Sequence, residues 1–150
     1  MLSAVTPLVA CLRWRFLTSS LVILVASFVV AAQPSGPTIG KFTITPPVVR
    51  PGDVAEIRFE YRDAQGGLRE AALLARPASG TLRTSVFQDT VNRAIADLPP
   101  ASEGVVVAAG RHQSGYSPAQ NGTKNYYQLQ VTDRAGRRSN VLGIELEIRL

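Results

Sequence analysis

From residue 54 to residue 62 the chain alternates. Ile57, Phe59 and Tyr61 fall on one side; Arg58, Glu60 and Arg62 fall on the other. A period of two is the signature of a half-buried β-strand with one wet face, because successive side chains of a strand point to opposite faces. The pattern returns near the end of the chain. Tyr127, Leu129 and Val131 alternate with Gln128, Gln130 and Thr132, and Ile144, Leu146 and Ile148 alternate with Glu145, Glu147 and Arg149. Earlier, Lys41 to Thr45 alternate through Phe42 and Ile44; Pro46-Pro47 interrupts them and Val48-Val49 resumes. Proline is kept out of the middle of a sheet, so this first strand is expected at an edge, with a kink.

Turn residues separate these runs. Asp63-Ala64-Gln65-Gly66 and Asp133-Arg134-Ala135-Gly136 share the form Asp-x-x-Gly. Asp suits the first position of a type I turn, and Gly66 and Gly136 supply the left-handed conformation that closes a hairpin. A weaker strand is expected through Leu68, Ala72 and Leu74, and another over 81–87. Val91, Ala94, Ile95 and Leu98 have helical spacing, with Asp89 or Thr90 able to cap; one or two helical turns, or a loop, fit them. Val105 to Val107 read as a short buried strand, and residues 110–124 as a long polar loop.

The first 32 residues differ from the rest. They hold no acid, carry Arg13 and Arg15, and run apolar to Ala32 before Gln33-Pro34-Ser35-Gly36-Pro37. A basic flank, a short apolar segment and small terminal residues form a secretory signal, with cleavage expected between Ala32 and Gln33. An uncleaved anchor is the alternative, since residues 16–32 reach the lower limit for crossing a bilayer. Removing 32 of 150 residues leaves 118, and with them goes Cys11, the single cysteine. The remaining domain must then hold together by burial without a disulfide. Loss of two arginines leaves 14 basic residues against 11 acids, too mild a surplus for a nucleic-acid binder. The expected order is a signal peptide or anchor over 1–32, a tether over 33–40 and a β domain over 41–150.

Pro47-Val48-Val49-Arg50-Pro51-Gly52-Asp53, followed by an alternating strand and Asp-x-x-Gly, resembles the opening of bacterial immunoglobulin-like domains. The stretch from Tyr127 to Asn140 resembles their last hairpin. The resemblance covers the two ends of the domain and not residues 75–110. It implies the cysteine-free type of this family, with Tyr127 as a tyrosine corner if Leu129 takes the place of a core cysteine. The fold expected is therefore all-β: an immunoglobulin-like β-sandwich of about seven strands, preceded by an N-terminal signal or anchor helix. Residues 141–149 supply a last strand, so the module is expected to be self-sufficient rather than completed by a neighbour's strand.

Chemistry-bearing residues are sparse. His112 is the single histidine and reads as a solvated loop residue, so neither a zinc or copper site nor catalysis is expected. Asp63 and Asp133 suit turns better than calcium, which needs six or more oxygens. No cofactor is expected. If both Asp-x-x-Gly turns share one end of the sandwich, that end gathers Arg62, Arg69, Arg134, Arg137 and Arg138. Guanidinium forks bind carboxylate, phosphate or sulfate, so an acidic glycan, an anionic lipid head group or an acidic protein face is the partner class. An ordinary solvated surface, partly neutralised by Asp63, Glu70 and Asp133, is the competing reading. Asn121-Gly122-Thr123 is a sequon or a plain turn, and Tyr116 and Tyr126 border the polar loop. The function expected is an exported, non-catalytic binding or scaffold module, secreted or periplasmic. A membrane-tethered spacer and a hydrolase with a minimal site are the alternatives.

Overall fold

A computed structural model describes residues 35–78, 80–112 and 118–150. The leader over 1–32, its Ala32–Gln33 cleavage point and Tyr116 lie outside the described residues.

Each strictly alternating run forms a strand with its apolar side facing inward; in the weaker run a register shift between Leu68 and Glu70 turns Ala71 and Leu73 inward in place of Ala72 and Leu74. The strands are β1 (Thr38–Thr45), β2 (Val48–Val49), β3 (Val54–Arg62), β4 (Leu68–Arg76), β5 (Arg83–Thr84), β6 (Glu103–Arg111), β7 (Lys124–Asp133) and β8 (Leu142–Ile148). One helix, α1 (Gln88–Ala96), lies between β5 and β6. The strands make two sheets, one in the order β1-β3-β6 and the other β2-β8-β7-β4-β5. All pairings are antiparallel except β2 with β8. The chain changes sheet at Pro46-Pro47, where a ring without an N–H would break a ladder in any case.

The core lies between the sheets. Ala55, Ile57, Phe59 and Tyr61 of β3 meet Tyr127, Leu129 and Val131 of β7, with Leu73, Val106, Leu146 and Ile148 filling between them. A fully buried side chain of this size contributes about 1.5–3 kcal/mol, so burial is the main force holding the layers together.

The expectation of an N-terminal helix before about seven strands is corrected. Among the described residues there are eight strands in two sheets, and the α-helix sits in mid-chain. The extra strand arises because Pro46-Pro47 divide the first run between the two sheets. The helix forms because Val91 and Ile95 bury one face, and Phe87, wholly buried, anchors its start. Phe87 is the N-terminal boundary residue and makes no side-chain cap; neither Asp89 nor Thr90 caps it. The two-sheet, largely β arrangement itself is present.

Three further boundaries differ. β1 begins at Thr38, before the expected Lys41. The strand expected over 81–87 shrinks to Arg83–Thr84, and β6 runs from Glu103 to Arg111 rather than stopping at Val107. Among the described residues no helix is long and apolar enough to cross a membrane.

Candidate functional site

Asp63 follows β3 and organises the first turn with its carboxylate. Its Oδ1 accepts from Gln65 N at 3.1 Å, its Oδ2 accepts from Gly67 N at 2.9 Å, and its carbonyl accepts from Gly66 N at 2.9 Å. Asp133 repeats this at the end of β7, with Gly136 N donating to its carbonyl at 3.1 Å. Gly66 and Gly136 take φ of 74° and 83°. The two turns are joined. Arg134 N donates to Gly67 O at 3.3 Å, and Arg137 Nη2 lies 2.6 Å from Asp133 Oδ2 and 3.7 Å from Asp63 Oδ1.

The five arginines therefore have different roles. Arg137 is an internal strut, with its side chain 22% exposed and held by two buried aspartates. Arg62 faces Glu103 at 3.4 Å, and Arg69 meets Glu70. Arg134 and Arg138 are exposed and pair with no carboxylate among the described residues. Asp133 titrates below the usual carboxylate range. Its burial opposes the charge, but the N–H and guanidinium of Arg137 and the N–H of Ala135 outweigh that effect.

His112 lies inside the molecule, 1% exposed, and not in a solvated loop. It continues the inward alternation of β6 from Val106 and Ala108. Its ring packs 5.6 Å from that of Phe87, and its Nε2 stands 3.4 Å from the hydroxyl of buried Tyr127. The same alternation in the sequence could have placed it.

Three amide side chains act on strand margins, a role the sequence reading missed. Gln88 Oε1 accepts from Leu73 N at 2.6 Å, and Gln88 Nε2 donates to Ala71 O. Asn92 Oδ1 accepts from Ala71 N at 2.8 Å. On the opposite side of the domain, Asn140 accepts from Ile39 N at 2.9 Å and donates to Ile39 O at 3.0 Å. Each of these amides supplies what a neighbouring strand would supply. Helix spacing of 88 and 92 puts both on one side of α1, and that is the one signal the sequence held.

The outer face of the β1-β3-β6 sheet is unlike its counterpart. Val54, Val105 and Val107 are exposed there, Val107 by 46%. At the end nearest the Asp63 turn this face dips into a trough of about 460 Å³ between Gly40, Glu60, Arg62, Glu103 and Val105. A Cβ at Gly40 would meet nothing, so the missing side chain opens the space. Lys41–Glu60 at 2.8 Å and Arg62–Glu103 balance its charge. Across the molecule, the outward positions of β7 and β8 are Tyr126, Gln128, Gln130, Glu145 and Glu147.

β6 borders this face. Among the described residues its backbone pairs with β3 alone, from Val54–Arg111 to Arg62–Glu103. Asp63 N bonds Ser102 O and His112 N bonds Asp53 O, so the even-numbered residues of β6 direct their N–H and C=O groups to β3. Those of Glu103, Val105, Val107, Ala109 and Arg111 point away from β3, and no backbone bond to another strand engages them among the described residues.

Among the described residues no cluster of three or more His, Cys, Asp or Glu could hold a metal ion. No family model matches the chain, and the search of curated proteins found no match.

Proposed function

We propose that this chain is an exported, non-catalytic interaction module that makes its contacts through the β1-β3-β6 sheet. The observation that carries this reading is the margin of β6. It is nine residues long and free of register shifts, while the other margins are clipped, bulged or short. Gln88, Asn92 and β5 occupy the side of β4, and Asn140 clips β1, which also bulges at Lys41. Proteins ordinarily blunt such an edge, and an open one flanked by exposed valines is a place for strand addition or face-on contact. The strand order, with β2 crossing to lie parallel to β8, supports kinship with bacterial immunoglobulin-like domains. The basic-apolar-small pattern of residues 1–32 supports export to a periplasmic or extracellular space.

The test is a photo-reactive amino acid placed at Val107, and separately at Gln130 on the opposite face, in the full chain produced in its own cells. Adducts from position 107 and none from position 130 support the reading. Equal labelling removes it.

Arg134 and Arg138, exposed and paired with no carboxylate among the described residues, favour a second reading, contact with an anionic glycan or lipid head group. An Arg134→Ser/Arg138→Ser double variant tests it, because Arg137 is needed for the turn. Salt-sensitive retention of the parent on acidic vesicles or glycans, lost in the variant, supports it; equal retention removes it.

A further inference from the structure

We infer that the occupant of the β6 margin is the β6 of a second copy, paired antiparallel about Val107 in a two-fold dimer; this rests on the reading of that margin as the contact surface. The first ground is hydrogen-bond parity. Val107 has its N–H and C=O directed outward, so a two-fold axis beside it makes a reciprocal hydrogen-bonded pair of Val107 with its own copy. The same register sets Val105 against Ala109 and Glu103 against Arg111, all residues whose backbone groups point outward. Shifting it by one residue along β6 would face inward-bonded groups against outward ones and lose the ladder.

The second ground is charge. β6 reads Glu-Gly-Val-Val-Val-Ala-Ala-Gly-Arg, with its charges at opposite ends. Antiparallel pairing about the centre brings each Glu103 to the other copy's Arg111, twice over. A parallel arrangement would set like charge beside like. Within one chain Glu103 already stands 3.4 Å from Arg62, so in the dimer it lies between two guanidinium groups. Arg111 donates from Nη1 to Gly52 O at 2.9 Å, in the turn that leads into β3, and the guanidinium retains further donors for a partner's carboxylate.

The third ground is the apolar middle. Val105 and Val107 are 37% and 46% exposed, and α1 meets β6 from the inner side, where Phe87 and Thr90 lie under Gly110. Pairing sets valine against valine on the outer face, a favourable cross-strand combination. The interface is isologous, so it closes at two copies and does not propagate. The two three-stranded sheets become one of six strands.

The experiment uses the full chain as the cell delivers it, with mass in solution measured over a concentration series. The parent is expected at twice the chain mass. Val107→Lys, Glu103→Arg and Arg111→Glu each return it to one chain, and the Glu103→Arg/Arg111→Glu double variant restores the doubled mass by exchanging the two charges. In a Cys11→Ser background, Val107→Cys forms a disulfide with its own copy. Hydrogen-bonded partners lie about 5.5 Å apart at Cα, within disulfide reach. Val105→Cys does not, since its copy stands about 14 Å along the strand. A doubled mass indifferent to these substitutions overturns the pairing, and so does a single-chain mass at every concentration. In that last case amide exchange separates the two readings. Fast exchange at Val105 and Val107 leaves the margin open for a different partner. Protection there in the single chain means the margin is already covered, and the interaction reading falls as well.

Discussion

Arg137 grips Asp133 at two points: its backbone N donates to Oδ1 at 2.8 Å and its Nε to Oδ2 at 2.6 Å. The same guanidinium reaches Asp63 in the neighbouring turn, so one side chain ties the β3–β4 and β7–β8 connections together. Removing it leaves two buried carboxylates without their counter-charge. Arg137→Ser is expected to cost about 2–4 kcal/mol, while exposed Arg138→Ser stays within about 0.5 kcal/mol. Denaturant melts of the two variants check this.

The same pair sets the acid limit of stability. Asp133 has its folded value depressed, so its stabilising contribution is complete above the ordinary carboxylate value and disappears as pH falls through the folded one. Tyr61 marks the alkaline side. Burial, then the charge of Asp63, raises its folded value, so stability is kept below the ordinary tyrosine range and lost as pH climbs beyond it. Melting temperature followed from pH 2 to 11 should fall at both ends. Asp133→Asn, less stable at neutral pH, should flatten the acid limb and leave the alkaline one.

Gln88 faces β4 as a neighbouring strand would. Gln88→Ala strands the N–H of Leu73 and the C=O of Ala71, with an expected loss of about 1–3 kcal/mol. Faster amide exchange at Leu73, ahead of global unfolding, would identify the local cause.

His112 fills space between Phe87 and Tyr127. His112→Ala is expected to lower stability by about 2–4 kcal/mol through the cavity it leaves. A variant melting within a degree of the parent would show that the site collapses without loss.

Gly143 lies under the ring of Tyr126, which also carries Arg76 at 5.4 Å. A Cβ at residue 143 would run into the tyrosine hydroxyl. Gly143→Ala should turn the ring away and cost about 1 kcal/mol with the loss of its cation contact. Tyrosine fluorescence and a melt read both effects.

The strands with strict alternation were legible, and so were both Asp-x-x-Gly turns. Their information is local: a period of two, and a side chain that bonds its own backbone. β6 was partly hidden because Val105, Val106 and Val107 are identical, and a run of one residue type carries no phase. Its continuation through Ala108, Ala109 and Gly110 is too small in side chain to advertise a strand. The polar neighbours of His112 give it the look of a loop residue and mask its place in the alternation. The amide clips of Gln88, Asn92 and Asn140 join segments up to 101 residues apart, and nothing in the sequence announces such partners.

The parallel join of β2 to β8 has a mechanical side. Glu147 N bonds Pro47 O at 3.0 Å and Arg149 N bonds Val49 O at 2.9 Å, across two strands running the same way. Tension that pulls β1 and β8 in opposite directions along the chain slides β2 past β8, so these bonds are loaded together and in shear instead of being unzipped one at a time. A short two-residue strand thus places the domain's resistance to stretching at the seam between its first and last segments.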